Sequence, residues 1–468
     1  MTQVTRKLAE FSAGLSLGDL PPEVVERAKL LVLDTVGIAL RARHDTESTP
    51  SLLAAAAKLG LTGGAATVIG DSDTYAPPGA ALINGALAHS LDFDDTHARG
   101  SIHTSAPILP AALAAAEMAG ADGARLLAAI VAGYEVQIRL SMALDPSEHY
   151  KRGFHPTATC GAFGATAAAA NIFGLDAERI EQAFGICLSQ AAGSLQFLVG
   201  GAWTKRFQVG HASMCGLNSA SLASEGFRGP PEAIEGKHGF LRAYAPDADP
   251  AKAIGGLGEI WETMAIGVKP YPSCRFGHAA VDALLELRAT HEIDADEIES
   301  VEIGLPEAGW SIVGNPIADK QNPKNDVEGQ FSMPFVAAVA LRQGGFEWDD
   351  YARHLADPET LRLCARVTAI VDPQAQAEYP ALMSGVARVR TPRGEFEKFV
   401  AAPKGEPENF VTATELRAKF DGLIGPYLTA GARDDLAAAL LALETADDIG
   451  ALLRMTCPDL SLLAAVGD

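Results

Sequence analysis

Apolar residues recur every three to four positions through most of this 468-residue chain, the period of helices with one face in a core. Val24, Val25, Ala28, Leu31, Val32, Thr35 and Val36 keep that period. Asp19 is a candidate cap for this helix, with Pro21 near its first turn. A turn-rich stretch at 62–78 precedes a helix over 79–91. Further helices are expected over 107–119, stopped by Gly120, and from the cap Asp122 to about Met142. A polar loop at 146–156 leads to a small-residue helix from Thr157 to Phe173. Helices from Asp176 to about Ser189 and over 211–226 follow, separated by the Gly-rich stretch 193–201.

The pattern changes near 267. A helix over about 278–290 is followed by alternating residues from Ile298 to Leu305, which predict a strand. Val386–Arg390 and Glu395–Val400 flank a turn containing Gly394, a hairpin signal. Thr412-x-x-Glu415 is a capping box, and the remainder reads as Ala/Leu-rich helix. The expected fold is mainly α. A large all-helical domain (1–267 plus 405–468) carries an inserted, smaller α+β lid domain (268–404). A cleft between domains is a usual place for a ligand.

Composition sharpens this picture. Hydrophobic residues make up 48% of the chain but aromatics only 6%, so Ala, Leu, Val and Gly must build the core, which favours closely packed helices. The net charge of −22 argues against broad binding to nucleic acid or an anionic membrane. A local cluster of cations can still reverse the potential inside one cleft. Six cysteines, at 160, 187, 215, 274, 364 and 457, show no CxxC spacing, which suits reduced cytoplasmic thiols. No charged-then-apolar leader opens the chain, so no signal peptide is expected. The uncharged runs at 156–175 and 182–204 are too polar for spanning helices.

One stretch breaks the helical pattern. Asp92, Asp94, Asp95, Thr96, His97 and His103 fall within twelve residues, between two segments that read as apolar helices. Such a knot must pair its buried groups or carry chemistry, because an unpaired buried carboxylate is costly. Its oxygens and imidazoles could hold a divalent ion, but the spacing supplies few of the six or so oxygens that a hard cation takes. It also brushes the aspartate-rich motif of helical prenyl-diphosphate enzymes, yet no second aspartate-rich segment follows. The knot is read as one wall of an active site, with a capped, hydrogen-bonded helix end as the plainer alternative.

Other candidates are weak singly. His155 precedes Pro156 at a helix N-terminus, where free N–H groups favour an anion. Lys205 and Arg206 follow the Gly-rich loop and would by default be a solvated pair. Lys269 and Arg275 flank Cys274, whose plain reading is an inert buried thiol. Together, His and Lys residues beside Gly/Pro-rich loops could bind a di- or tricarboxylate and move protons near neutral pH. The Gly-rich stretch matches neither GxGxxG nor a P-loop.

Four motifs in order resemble the MmgE/PrpD family. They are Asn84-Gly85-x-x-x-His89-x-x-Asp92-Phe-Asp-Asp-Thr96, Gly153-Phe-His-Pro-Thr157, Thr204-Lys205 with Gly210 downstream, and Lys269-Pro-Tyr-Pro-Ser-Cys274-x-x-x-His278. The family contains 2-methylcitrate dehydratases, which serve propionate catabolism, cis-aconitate decarboxylases and iminodisuccinate epimerases. The resemblance implies a helical domain with an α+β lid, a homodimer, and chemistry without metal or organic cofactor. Asp92, Thr96, His103, His155 and Lys205 are similar to residues lining the decarboxylase site, and Lys269 falls on a family lysine. Tyr150 lies where an epimerase-type acid/base could sit. One extra residue precedes His103 relative to the decarboxylase pattern. Cys274 stands where those enzymes carry a catalytic His, with His278 nearby.

The resemblance therefore implies a cofactor-free hydro-lyase acting on a methylcitrate-like hydroxy-tricarboxylate. An epimerase or racemase of a dicarboxylate such as iminodisuccinate, a cis-aconitate-type decarboxylase, and a non-catalytic carboxylate-binding protein are the alternatives. In the catalytic readings, His155 and Lys205 transfer protons and stabilise charge. His103 and Thr96 position a carboxylate or leaving hydroxyl, and Asp92 orients a histidine. Lys269 and Arg275 bring positive charge from the lid.

Overall fold

The computed structural model describes residues 3–459; the end of the expected C-terminal Ala/Leu-rich helix lies outside them. Helices dominate, and they pack closely because their contact faces are small. The helices Pro77–Ala88, Ser105–Ala119, Gly123–Leu144, Pro156–Ile172 and Thr204–Ser224 form the central body. At one crossing, a Cβ on Gly210 would lie 2.1 Å from the Leu82 carbonyl oxygen, and one on Gly85 would lie 2.8 Å from the Gly210 Cα. Side chains at these two positions would force the Pro77–Ala88 and Thr204–Ser224 helices apart. Gly123–Leu144 is long and apolar enough to cross a bilayer by length and composition alone. Here it is a core helix, and its Glu135 and Arg139 pair at 3.1 Å.

Most of the expected elements form, with shifted ends. Asp122 and Asp176 cap the Gly123–Leu144 and Ala177–Leu188 helices, and Thr412 and Glu415 form the capping box of Ala413–Ile424. Asp19 instead closes a short 3-10 turn, Leu17–Asp19, with Ser16. The following helix is Pro22–Asp45. The polar loop at 146–156 contains a short helix, Pro146–Lys151, whose first turn is capped by Asp145. The helix expected over 211–226 begins at Thr204. Gly210 does not break it, because the close helix crossing requires a residue without Cβ there.

The smaller α+β part has a four-stranded sheet in the order Val367–Val371, Ser300–Leu305, Gly385–Thr391, Gly394–Val400. The first pair is parallel and the others are antiparallel. Val367–Val371 went unread in the sequence, since five residues without strict alternation give little signal. The helix His278–His291 covers the hairpin strands. Beyond residue 405 the chain returns to the helical body, where Ala413–Ile424 packs on Pro22–Asp45 and Lys419 Nζ lies 2.7 Å from Asp34.

A two-residue ladder sets up the site. Thr96 pairs with Gly267 and His97 with Ile266, antiparallel. This ties the polar knot to the segment that carries Lys269, so groups 177 residues apart in sequence meet: Lys269 Nζ donates to the Asp92 carbonyl at 2.8 Å.

Candidate active site

Nine of the ten residues singled out from the sequence line one cavity of about 650 Å³: Asp92, Thr96, His103, Tyr150, His155, Lys205, Lys269, Cys274 and Arg275. Each is held by its own element. Asp92 sits in the turn after Pro77–Ala88 with φ of 50°, left-handed backbone that Asp tolerates better than most residues. His103 is fixed through its backbone: its N–H donates to Thr157 Oγ1 at 3.1 Å and its carbonyl accepts from Gln137 Nε2 at 2.9 Å. His155 is the N-cap residue of Pro156–Ile172. Lys205 lies in the first turn of Thr204–Ser224 rather than in a loop.

Two ammonium groups share one carboxylate. Lys205 Nζ donates to Asp92 Oδ1, and Lys269 Nζ lies 3.2 Å from Asp92 Oδ2. Burial opposes the charge on Asp92, but Lys205 and Lys269 outweigh it and hold the carboxyl well below the usual range. Asp92 therefore anchors two lysines and does not orient a histidine. That role belongs to Asp94. Its Oδ2 lies 2.7 Å from His89 Nδ1 and 3.0 Å from His103 Nδ1. Burial would raise the Asp94 carboxyl; the contacts with His103 and His89 keep it well below its ordinary value.

The two cavity histidines meet opposite partners at Nδ1. The Asp94 carboxylate lies 3.0 Å from His103 Nδ1, outside hydrogen-bond geometry, and its charge favours the proton on that nitrogen, which leaves Nε2 unprotonated. His155 is the reverse. Gln208 Oε1 accepts from the Ser194 N–H at 2.8 Å, which fixes the amide orientation, and Gln208 Nε2 then donates to His155 Nδ1 at 2.8 Å. The His155 proton must sit on Nε2. Burial, then the neighbouring His89 and Lys205, push His155 well below the usual imidazole range, and burial lowers His103 too. Both rings are neutral at pH 7. The His89 ring lies between them, with centroids 4.6 Å from His103 and 5.8 Å from His155.

The remaining wall is polar but quieter. Thr96 Oγ1 is buried and has no partner among the described residues. The Tyr150 hydroxyl donates to the Ser101 carbonyl at 3.0 Å, and burial keeps the phenol protonated. Burial likewise raises the Cys274 thiol, which makes it a poor nucleophile. Arg275 is clamped by Glu406 at 2.6 Å and by the Lys404 carbonyl at 3.1 Å; one guanidinium nitrogen, NH2, has no partner among the described residues.

His278 does not reach the cavity wall. It lies fully buried behind it, accepting from Arg275 NH1 at 3.0 Å and donating to the Ser273 carbonyl at 3.1 Å. Four residues on a turn-to-helix junction carry its ring away from Cys274, and its contact is with Arg275. His97 turns to Glu262, 3.2 Å away, and Asp95 to Ser105 and the Thr104 N–H. The metal set read from the knot is thus dispersed. His89, Asp94 and His103 do place one ligand atom each within 4.8 Å of one another; of these contacts, His89 Nδ1 with Asp94 Oδ2 at 2.7 Å is a hydrogen bond.

Sequence reasoning left His89, Asp94 and Gln208 without roles. A helix begun at Thr204 would have put Gln208 one turn from Lys205, on the same face.

Imidazoles and ammonium groups paired to carboxylates thus converge on one cavity in a mainly helical protein. The MmgE/PrpD N-terminal domain matches residues 6–253, and the MmgE/PrpD C-terminal domain matches residues 271–445. The chain belongs to the MmgE/PrpD family. It is 27% identical to a cis-aconitate decarboxylase of Aspergillus terreus, over 97% of this chain and 96% of that protein. It is 28% identical to the cis-aconitate decarboxylase-like protein oryM of Aspergillus oryzae, over 98% of each. Against the cis-aconitate decarboxylase of Homo sapiens, identity is 28% over 74% of this chain and 72% of that protein.

Proposed function

We propose that this protein is a lyase that eliminates water from a hydroxy-tricarboxylate, by removing a proton from carbon next to a carboxylate. The observation that carries this is the pair of opposite Nδ1 neighbours, the Asp94 carboxylate beside His103 and the Gln208 amide N–H against His155. Elimination needs a base for the carbon-bound proton and an acid for the departing hydroxyl in one site. His103 Nε2 supplies the base, and His155 Nε2–H supplies a hydrogen bond to the departing hydroxyl. The proton leaves carbon for His103, the electron pair forms the alkene, and the hydroxyl, held by His155 Nε2–H, departs as water with the proton that the His103 imidazolium gives back, so both rings end neutral.

The carbanion-like state places extra negative charge on the adjoining carboxylate. Lys205 and Lys269 face that charge from a buried site, where such interactions are strong. Thr96 Oγ1 and the free nitrogen of Arg275 supply further donors for carboxylate oxygens. Asp92 keeps both lysines in place, and Asp94 keeps His103 in its accepting tautomer.

The names of the relatives favour a second reading, decarboxylation of an unsaturated tricarboxylate. It would use the same cations for the carbanion and His155 as the proton donor, but needs no base at the outset. Incubation with hydroxy-tricarboxylates and with cis-aconitate separates the two. A rise in ultraviolet absorbance from a conjugated alkene supports dehydration; release of carbon dioxide supports decarboxylation. Solvent deuterium uptake without net conversion would point to epimerisation and overturn both. His155→Asn and Lys205→Met should each abolish turnover while circular dichroism stays native; near-normal activity in both would reject the assignment.

A further inference from the structure

The cavity that holds the carboxylate-binding groups is also lined by hydrocarbon: Leu195, Phe197, Phe276, Ile312, Phe331 and Met383. These groups adjoin the reacting end. The Phe197 ring lies 5.5 Å from the His155 ring, and Lys205 Nζ lies 5.1 Å from the Phe331 ring centre. Outside the catalytic set the polar lining includes Lys151, Glu307, Gln376 and Tyr379, all exposed or half-buried, and the opposite charges of Lys151 and Glu307 offset each other.

Size points the same way. A six-carbon tricarboxylic acid has roughly 13 heavy atoms and fills on the order of 200 Å³, counting each atom at about half of a water's ~30 Å³ share. The cavity holds about 650 Å³. A substrate made only of carboxylates and a short carbon frame would leave the Phe197–Ile312 side facing water.

We propose that the substrate carries a hydrocarbon substituent longer than methyl beside its reacting carbon, and that Phe197, Ile312 and Met383 select for it. The substrate class is an alkyl-substituted polycarboxylic acid: carboxylates at the Lys205–Lys269 end, chain against the apolar wall. The inference rests on the carboxylate reading above. Each methylene moved from water onto such a wall should tighten binding by about fourfold.

The test is calorimetric titration of the full chain with saturated, unreactive tricarballylic acids bearing hydrogen, methyl, ethyl or butyl at the 2-position. The expected result is a steady fall in Kd along the series, reaching at least thirtyfold between hydrogen and butyl. Ile312→Asn and Phe197→Ala, checked for native circular dichroism, should each shrink that ratio at least fivefold. If the unsubstituted acid binds, and Lys205→Met abolishes its binding, while butyl binds no better, the chain-selecting role is overturned and the carboxylate reading stands. If none of the acids binds, both fall.

Discussion

Asp94 tests the tautomer argument most directly, because it touches the chemistry only through histidines and does not line the cavity. Asp94→Asn offers the site two arrangements. With its oxygen where Oδ2 now lies, the amide keeps the His89 hydrogen bond, which changes from charge-assisted to neutral and roughly halves in strength, and the charge that favours the His103 Nδ1 proton is lost. Its NH2 group then takes the Oδ1 position, which has no partner among the described residues, at a cost of about 1–3 kcal/mol. With the amide reversed, the NH2 faces Nδ1 of His103, the proton moves to Nε2, and the base is lost. When an aspartate that sets an imidazole tautomer becomes asparagine, about 10⁴ in kcat can disappear. General-base catalysis alone is worth about 10²–10⁴. We therefore expect kcat to fall about 10²–10⁴-fold with KM changed little, since the carboxylate-binding cations are untouched. His103→Gln should cost as much, and the double variant no more than either, as groups acting as one unit behave. Steady-state kinetics on all three, with circular dichroism to establish folding, decides it. A folded Asp94→Asn enzyme with more than a tenth of wild-type kcat would refute the assignment of His103 as base.

Acid should destabilise the fold. His89 and His149 are held neutral, lowered chiefly by burial to about 3 and about 4. Unfolded imidazoles take protons first as pH falls below about 6.5, so each should cost about 2 kcal/mol of stability between pH 7 and pH 5. His155 and His278, also lowered by burial, add to the loss. Asp34 and Asp95, raised by burial to about 6, work the other way and return about 1 kcal/mol each over that interval. The urea midpoint should drop between pH 7 and 5; an unchanged or rising midpoint would contradict the neutral-histidine core. Gly210→Ala should destabilise by at least the ~1–3 kcal/mol of an overpacked core, because its Cβ would meet the Leu82 carbonyl at 2.1 Å; a wild-type melting curve would show that the helix crossing is looser than described. Raising ionic strength above about 0.1 M should lower kcat/KM, because the hollow next to the cavity carries Arg206, Lys320 and Lys324 against Asp319 and Glu328, and salt screens such local attraction. A rate that climbs with salt would mean that the net charge of −22 governs substrate approach.

Helices were legible in the sequence because their apolar period is local, and caps such as Asp122, Asp176 and Thr412 are local too. Much of the cavity wall was legible for a different reason: the residues stand in short motifs that share a family pattern. Pairings were not legible. Asp92, Asp94 and Asp95 sit within four positions, yet one meets lysines from 113 and 177 residues away, one meets His89 and His103, and one turns to Ser105. Alternation of side-chain direction through an irregular turn sends neighbours to different partners, and no periodicity reports it. His278 failed as a wall residue for the same reason. A spacing of four carries information inside a helix, but His278 is the first residue of one, and the turn before it aims Cys274 and His278 apart.

The division of labour among the three aspartates has a physical logic. A base must keep a free lone pair near neutral pH, so His103 cannot sit in direct contact with an uncompensated cation or become one. An anionic transition state, however, needs cations close by. Placing Asp92 between Lys205 and Lys269 holds two ammonium groups beside the cavity, where the proposed reaction needs them. Placing Asp94 behind His103 fixes the tautomer on the side away from the cavity. Were the two carboxylates exchanged for a single shared one, the lysines and the imidazole would compete for it: either the base would lose its orientation or an ammonium would lose its counter-charge in a buried site, where an unpaired ion is costly. Separate carboxylates two residues apart, one on each side of Phe93, resolve that conflict, which is why so many acidic groups are packed into a stretch flanked by apolar helices.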